Sequence, residues 1–526
     1  MRAEVRDALE FLYADSTVSP SPVVQNRIDV CRAGTAAVHI LLNGVRRSAS
    51  LRCSVSVPGT VFGEPEWFRL LAVPVEANTG LASFIEVEGE RNPYVARRAP
   101  FSVFDVLAPL KAGKEQTSSV MALRLHLPVR RHCKPGLYTC RIEVRCGSET
   151  AVFGLEVRVH PPRVPPVGKC SFPYTNWFNL DYMASRHGLK MWSEGHWQMM
   201  RRYARLMVHA RQNTFWCPLH YIFRASRGTP LLDRDRLKRI VRIFTGEGMY
   251  FIEGGHLAHR HLHDWNASFF DIGVTATPAT SAEGNEVLAR VCAQIRGEMH
   301  ANGWQQRWLQ HIADEPTGVN ASDYRVLAGM VRKYLPGVPI LDATMDTSLV
   351  GAVDIWCPQA QEFQKNRQFF ERQRLVGDRV WFYTCCAPGG QWLNRLLDME
   401  LLRPALLGWG ASLFGLDGFL HWGLNHYKEQ QDPFRQSVVR HSGTNFLPAG
   451  DTHIVYPGDG QPWSSVRLEA QREGFEDFEL LRELRARNVS AWRSIVGSVL
   501  KGFDRYTTSV ERFRAARRRL YAALGG

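Results

Sequence analysis

The 526-residue chain reads as a multidomain β plus α/β protein: an N-terminal β-sandwich, a (β/α)8 TIM-type barrel and a C-terminal helical extension. Three observations predict this. Short alternating or apolar runs separated by turns fill the first 160 residues, as sandwich strands do. Pro161-Pro-Arg-Val-Pro-Pro-Val-Gly168 is a stiff, proline-rich linker. Beyond it, eight strand candidates alternate with helical patterns over about 255 residues, a barrel's length and count. The predicted boundaries are 1–160, 161–168, 169–460 and 461–526.

Taken in order, Glu4 to Tyr13 is predicted as a short helix, followed by a Ser/Pro-rich turn. Val38–Asn43, Leu51–Val57, Phe68–Val75 and Val120–Leu127 read as strands. Gly136–Arg145 and Ala151–Val159, joined across Cys146-Gly-Ser-Glu149, read as a hairpin. The eight later candidates are Lys169–Phe178, Asn213–Pro218, Met249–Glu253, Arg307–Ala313, Pro339–Ala343, Ala352–Cys357, Arg379–Cys385 and Ser412–Trp422. Helical patterns between them include Glu194–Ala210, Asp233–Gly246, Asn285–Gly303, Ala321–Tyr334, Asn366–Arg374 and Asn394–Gly408. An open doubly wound sheet is the alternative, but no G-x-G-x-x-G follows the first strand. Another short strand is predicted near 451–457, and Ser464–Arg487 and Val489–Leu524 are predicted helices, packed outside the barrel or forming a tail.

Bulk composition narrows the function. The formal charge is +14, with 65 Lys and Arg against 51 Asp and Glu. No zinc-finger spacing, RNA-recognition sequence or long basic stripe accompanies it, so a nucleic-acid partner is not expected. Eleven cysteines form no C-x-x-C pair and fall largely in apolar strands, which predicts buried free thiols and a reducing compartment. No secretory leader and no run of about 18 apolar residues is found, so a cytoplasmic protein without a membrane partner is expected. The oligomeric state is left open.

The chemistry points to His311-Ile-Ala-Asp-Glu-Pro316. An apolar β-rich run ends in two adjacent carboxylates, Asp314 and Glu315, and Pro316 stops further ladder pairing. Like charges so close push one carboxyl toward neutrality, as a general acid requires. The competing reading is a helix N-cap, where acids are also favoured. A barrel puts its site at the C-terminal strand ends. There the sequence offers Trp177, His220, His256, Trp356, Tyr383, Trp422 and Asn425 beside the acid pair. Rings stack on sugar faces and amides bond hydroxyls, so a carbohydrate partner is expected. His256, His259, His261 and His263 raise metal binding as a rival, but H-E-x-x-H spacing is missing. No G-x-S-x-G elbow or P-loop occurs. No cofactor and no metal is expected.

Several stretches resemble the catalytic domain of glycoside hydrolase family 123. They are His209-Ala-Arg-Gln-Asn213, His311–Pro316, Trp381-Phe-Tyr-Thr-Cys385, Gly418–Asn425, Tyr456-Pro-Gly458, Ser465–Glu469 and Arg472–Phe478, over roughly 60% of the chain. The resemblance implies a retaining β-N-acetylgalactosaminidase-like hydrolase in which the substrate's own 2-acetamido group is the nucleophile. It implies that Asp314 holds the acetamido N–H and that Glu315 is the acid/base. Tyr383 is the candidate for the acetamido oxygen, Trp177, Trp356 and Trp422 for walls, and Asn213, His256 and Asn425 for further substrate contacts. Arg467 and Glu473 are read as structural.

Overall fold

The computed structural model describes residues 1–22, 25–45, 50–110, 119–226 and 229–525. Among its described residues the N-terminal region holds nine strands: β1 Arg2–Asp7, β2 Gln25–Arg32, β3 Thr35–Asn43, β4 Leu51–Ser56, β5 Glu66–Val75, β6 Phe101–Pro109, β7 Val120–Pro128, β8 Gly136–Cys146 and β9 Glu149–Arg163. They form a five-stranded sheet in the order β1-β3-β7-β5-β6 and a four-stranded sheet in the order β2-β9-β8-β4. Val38, Ile40 and Leu42 of β3 and Leu123, Leu125 and Leu127 of β7 share one buried cluster with Ile142, Val144, Leu155 and Val157 of the other sheet. Each such side chain contributes about 1.5–3 kcal/mol on burial.

The β3 run is apolar without alternation because its sheet is covered on both faces. Leu41, Leu70, Phe104, Leu107 and Ala122 belong to the large core shared with the β/α region that follows. The predicted hairpin is present, with β8 antiparallel to β9 from Gly136↔Val159 to Cys146↔Glu149.

Two N-terminal expectations are corrected. Glu4–Tyr13 is no helix: β1 runs Arg2–Asp7, antiparallel to β3, and buries Val5. Sheet pairing outweighs the local helical preference, which is weak beside tertiary burial. The proline-rich linker is in part strand, since β9 continues to Arg163, which pairs with Arg32. The prolines are tolerated because a register shift between Cys31 and Arg32 breaks the ladder there.

Eight short parallel strands follow: the first Tyr174–Asn176, the second Thr214–Cys217, the third Phe251–Gly254, the fourth Trp308–Gln310, the fifth Leu341–Ala343, the sixth Ile355–Cys357, the seventh Arg379–Tyr383 and the eighth Gly418–His421. The first, eighth, seventh, sixth and fifth form one sheet in that order, half of a barrel wall. The second, third and fourth form another. A parallel bridge, Gln310↔Ile340, links the fourth strand to the fifth. The Asn213 side-chain oxygen accepts from the Tyr174 backbone N–H at 3.1 Å, beside the first and second strands.

The helices begin where sequence caps them. Ser193, Asp233, Ser281 and Ser465 each accept a backbone N–H at the start of Glu194–His209, Arg234–Glu247, Ala282–Asn302 and Val466–Arg487. Asn394–Gly408 is corrected: this helix runs Leu402–Phe414, and the eighth strand starts at Gly418 rather than Ser412. Residues 384–401 are instead irregular, and the buried Asn394 amide donates to the Cys385 and Pro388 carbonyls.

The helix Val466–Arg487 is also not peripheral. Despite its polar sequence it is buried along most of its length. Its charges are paired: Arg467 with Asp105 of β6 at 2.9 Å, Arg472 with Glu469 and Glu476, and Asp477 with Arg517 at 2.8 Å. Glu473 meets Arg514 and Arg517. Arg124, Arg395, Arg467 and Arg472 are all buried, so part of the basic excess is internal structure and not a surface for a polyanion. The final predicted helix is two, Val489–Gly497 and Val510–Gly525. All eleven cysteines are free thiols. Among the described residues no helix is long and apolar enough to cross a membrane.

Candidate active site

The acid pair sits on the corner that leaves the fourth strand, and it is not a helix cap. The next helix starts at Ala321, with Asn320 in the capping position. Glu315 has φ +46°, the left-handed region that side-chain-bearing residues avoid. Such a conformation costs of order 1–3 kcal/mol and persists only where its surroundings impose it. Arg260 imposes it in part, donating to the Glu315 carbonyl. The corner is also tied down before the acids: Ile312 and Ala313 N–H groups point to Asp342 Oδ2 at 3.2 and 3.4 Å.

Both acids line a cavity of about 680 Å³ at the C-terminal ends of the parallel strands. Trp177 follows the first strand there, Ala343 ends the fifth, Gln359 follows the sixth, Tyr383 ends the seventh, and Trp422 follows the eighth. Glu362 and Asp451 are further carboxyls in the wall. The N-terminal region completes the cavity with Leu81, Ala82, Ser83 and Phe84, from the segment between β5 and β6. Gly389 and Gly390 N–H groups donate to the Ala82 and Gly80 carbonyls at 2.8 and 3.1 Å. A side chain on Gly389 would meet the Gly80 oxygen at 2.1 Å, so the approach requires glycine. Asp398 anchors the same segment by accepting from Thr79 and Asn78.

Burial and the mutual repulsion of the acids set their ionisation. Asp314 is pushed up to about 7, first by burial and then by Glu315. Glu315 is also raised by burial, against the Tyr383 hydroxyl and Arg260, which oppose the shift. Tyr383 donates to Glu315 Oε1 and lies 3.4 Å from the Met345 sulfur. The two carboxyls therefore act as a pair that keeps a proton near neutrality.

A buried relay lies behind them. His311 Nε2 is 2.8 Å from Glu253 and its Nδ1 is 3.0 Å from Asp342. Burial alone would neutralise this ring, but the two hydrogen-bonded carboxylates outweigh it and lift the imidazole to about 9. His311 is thus an imidazolium at neutral pH, and its charge draws the Asp314 pKa back down. Glu253 in turn accepts from the Trp177 indole at 2.9 Å and the Thr175 hydroxyl at 2.5 Å, fixing Trp177 in the wall.

Other expected contacts are redistributed. Trp177, Tyr383 and Trp422 are in the cavity wall. His256 is not; it packs edge-on against Trp177 and Trp216 at 5.1 and 4.9 Å. Asn213, Trp356 and Asn425 are corrected. Asn213 precedes the second strand, at the opposite end from the site, and bonds Tyr174, Gly168 and Ser171. Trp356 is mid-strand, points to Asp378 at 2.8 Å and packs on Phe369 and Phe370. Asn425 closes a reciprocal pair with the Asn179 backbone at 2.8 and 3.0 Å. Trp356 and Asn425 are expected from nearness to a strand end, which does not say to which side a residue turns, and Asn213 is expected from the family resemblance alone.

The four-histidine segment does not converge. His259 stacks on His263, while His261 bonds Asp271 at 2.9 Å. Donor atoms of His256, His311 and Asp342 do lie within 4.8 Å of one another. Both His311 nitrogens are already committed to carboxylates, so this trio fits a proton-holding relay better than a ligand set. His311, Glu253, Asp342, Asp451 and Leu81–Phe84 were not singled out as site residues. His311 had a signal, three residues before Asp314. The others come from distant segments.

Residues 255–484 match the family model described as glycoside hydrolase 123, catalytic domain. No curated protein matches the sequence. Among solved structures, a family 123 glycoside hydrolase from Clostridium perfringens, described in terms of glycolipid glycan hydrolysis, superposes with a TM-score of 0.73 at 13% identity. That superposition covers 99% of this chain and 97% of the other. A GH10 xylanase with a bacterial Ig-like domain, from termite gut, gives 0.36 at 10% identity over 87% and 100% of the two chains. An endo-β-1,4-mannanase from Thermotoga petrophila gives 0.37 at 12% over 59% and 77%. The family match falls on the segment that carries the acid pair, Tyr383 and His311, and that segment is a glycoside hydrolase catalytic domain similar to family 123.

Proposed function

We propose that the enzyme hydrolyses β-linked N-acetylhexosaminides, with N-acetylgalactosamine as the sugar, by a retaining, substrate-assisted mechanism. The observation that carries this is the placement of Asp314 and Glu315 on one corner of one strand end. A nucleophile and an acid must reach a glycosidic bond from opposite faces. Two adjacent acids suit a sugar that brings its own nucleophile.

In the first step the 2-acetamido carbonyl oxygen bonds to C1. Glu315 protonates the departing glycosidic oxygen, and the C1–O bond breaks. Asp314 accepts the acetamido N–H and, ionised, offsets the positive oxazolinium. In the second step Glu315 takes a proton from water, whose oxygen adds to C1 and reopens the ring with the β configuration. One proton shared by the pair is the required starting state. A substrate N–H donating to Asp314 draws the negative charge there and leaves the proton on Glu315. Such stabilisation is worth about 3 kcal/mol or more per group. The Tyr383 hydroxyl, on Glu315 in the free enzyme, is placed to turn to the acetamido oxygen and hold it for attack.

The same reading takes the two parallel sheets as one closed (β/α)8 barrel and the two N-terminal sheets as a β-sandwich whose β5–β6 segment serves the site. It is tested with 4-nitrophenyl N-acetyl-β-galactosaminide and the Glu315→Gln variant, with the product anomer followed by NMR. No turnover of any 2-acetamido glycoside, or an inverted product, would remove it.

Asp451 favours a second reading, an ordinary two-carboxylate hydrolase acting on a different sugar. A thiazoline mimic of the oxazoline separates the two readings, since only a substrate-assisted site binds it tightly.

A further inference from the structure

Asp451 is fully buried, yet it lines the cavity that holds the acid pair. Its Oδ1 accepts the Trp422 indole N–H at 3.2 Å. Its Oδ2 has no hydrogen-bond partner among the described residues. His421 Nε2 is 3.8 Å from Oδ1, beyond a hydrogen bond, and its Nδ1 is occupied by the Gly423 N–H at 2.9 Å. The position is rigid: a side chain on Gly423 would strike the Asp451 carbonyl at 2.1 Å, so the two loops are in direct backbone contact. Leaving a buried carboxyl oxygen without a donor is costly, and such groups persist where something else supplies the hydrogen bond.

The chemistry of the cavity says what that donor is. Asp314 and Glu315 leave the fourth strand, in the three-stranded sheet, and under the proposed mechanism they take C1 and C2 of the sugar. Asp451 packs on the end of the eighth strand, in the five-stranded sheet, at the N–H edge of the Trp422 indole. A sugar ring with C1 and C2 at the acids turns its C3, C4 and C6 edge away from them. A carboxyl group held at the N–H edge of an indole is a hydroxyl acceptor next to a ring that can serve as a stacking platform. Burial opposes the ionised form of Asp451, while the Trp422 indole and the nearby cations Arg395, Arg467 and Lys428 favour it.

Resting on the proposed hydrolase reading, we infer that Asp451 is the specificity-determining acceptor for a ring hydroxyl on the C3–C4–C6 edge of the bound sugar, with Trp422 holding its carboxylate in place. It then reads hydroxyl position or orientation, which the acid pair cannot see from C1 and C2.

The test compares the wild type with Asp451→Asn on 4-nitrophenyl N-acetyl-β-galactosaminide and its 3-, 4- and 6-deoxy analogues. Asparagine keeps an acceptor for the indole. One deoxy analogue should lose tenfold or more in kcat/KM with the wild type. Asp451→Asn should lose a similar factor on the parent sugar and little more on that analogue. A wild type indifferent to all three analogues overturns the inference, and this holds even if the variant fails to fold. So does a folded variant that keeps kcat/KM within twofold and the full deoxy sensitivity. Tryptophan fluorescence titration of both proteins with free galactose and N-acetylgalactosamine is the readout independent of turnover. If no 2-acetamido glycoside is turned over, the mechanism fails, and a tenfold weaker sugar affinity in the variant still supports the hydroxyl contact, while equal affinity overturns it. Loss of turnover on every substrate, with a wild type insensitive to thiazoline, makes Asp451 the nucleophile and also overturns it.

Discussion

Tyr383 donates its hydroxyl to Glu315, so the end of the seventh strand is bonded directly to the corner of the fourth. The two residues are 68 positions apart. This contact lowers the pKa of Glu315 against the effect of burial. Tyr383→Phe removes that opposition, so the Glu315 pKa rises. The high-pH limb of kcat/KM should move upward, while kcat falls by roughly tenfold to a thousandfold, as for loss of one donor to a reacting oxygen. A pH–rate profile of the variant checks both; an unmoved limb would show that Tyr383 does not tune the acid.

Glu315→Gln and Asp314→Asn should fail differently. Without its acid the enzyme loses about 10²–10⁴ in rate on a poor alkyl leaving group. The loss should shrink on 4-nitrophenol, which departs without protonation. Asp314→Asn should lose rate on both alike, because its role is at the acetamido group. Steady-state kinetics on the two aglycones decides it.

Asp314 should also show a stability cost. Its folded pKa, about 7, is above the ordinary carboxyl value of 3.8. The folded state therefore binds this proton more tightly. The associated stability is present below about pH 4 and is lost as pH rises through 7. Asp314→Asn should melt about 2 °C above the wild type at pH 8, with the gap closing by pH 5. Calorimetry at the two pH values tests this, and a variant that melts lower at pH 8 refutes it.

The sign is the same at His311, whose folded value of about 9 exceeds the ordinary 6.5. Its contribution is complete below pH 6.5 and lost as pH rises through 9. His311→Asn leaves Glu253 and Asp342 buried without their cation, which costs about 3–5 kcal/mol. In urea titrations the deficit against wild type should be largest at pH 7 and smaller at pH 9.5.

Arg467 joins the helix Val466–Arg487 to Asp105 of β6 inside the protein, where Tyr456 also donates to Asp105 at 2.7 Å. Arg467→Met strands that carboxylate and should cost about 3–5 kcal/mol, whereas Arg467→Met with Asp105→Leu should recover much of the loss. Denaturant midpoints of the two variants measure the difference. Equal destabilisation would mean that the Arg467 bonds to the Arg395, Gly450 and His453 carbonyls matter more than the ion pair.

Local patterns carried most of the secondary structure. Ala321–Tyr334 begins and ends where its apolar spacing predicts, and the β8–β9 hairpin follows from alternation and its turn. The parallel strands were found but overestimated in length, because a buried strand and its flanking coil are equally apolar. The first is three residues where ten were predicted. The helix Val466–Arg487 looked solvated because its partners, Asp105, Arg514 and Arg517, lie far away in sequence.

By itself the sequence determined that two adjacent carboxylates end a buried strand, that tyrosine and tryptophans stand at other strand ends, and that prolines mark a change from β to β/α rhythm. Those properties depend on neighbours within a few residues. Only the tertiary structure shows which side chains line the cavity: Asp451 does, and Asn213, Trp356 and Asn425 do not. Only it showed that His311 is held charged between Glu253 and Asp342, and that Leu81–Phe84 close the cavity. The reason is physical: burial, ionisation and the shape of a cavity are set by groups brought together through space, and no local spacing records them.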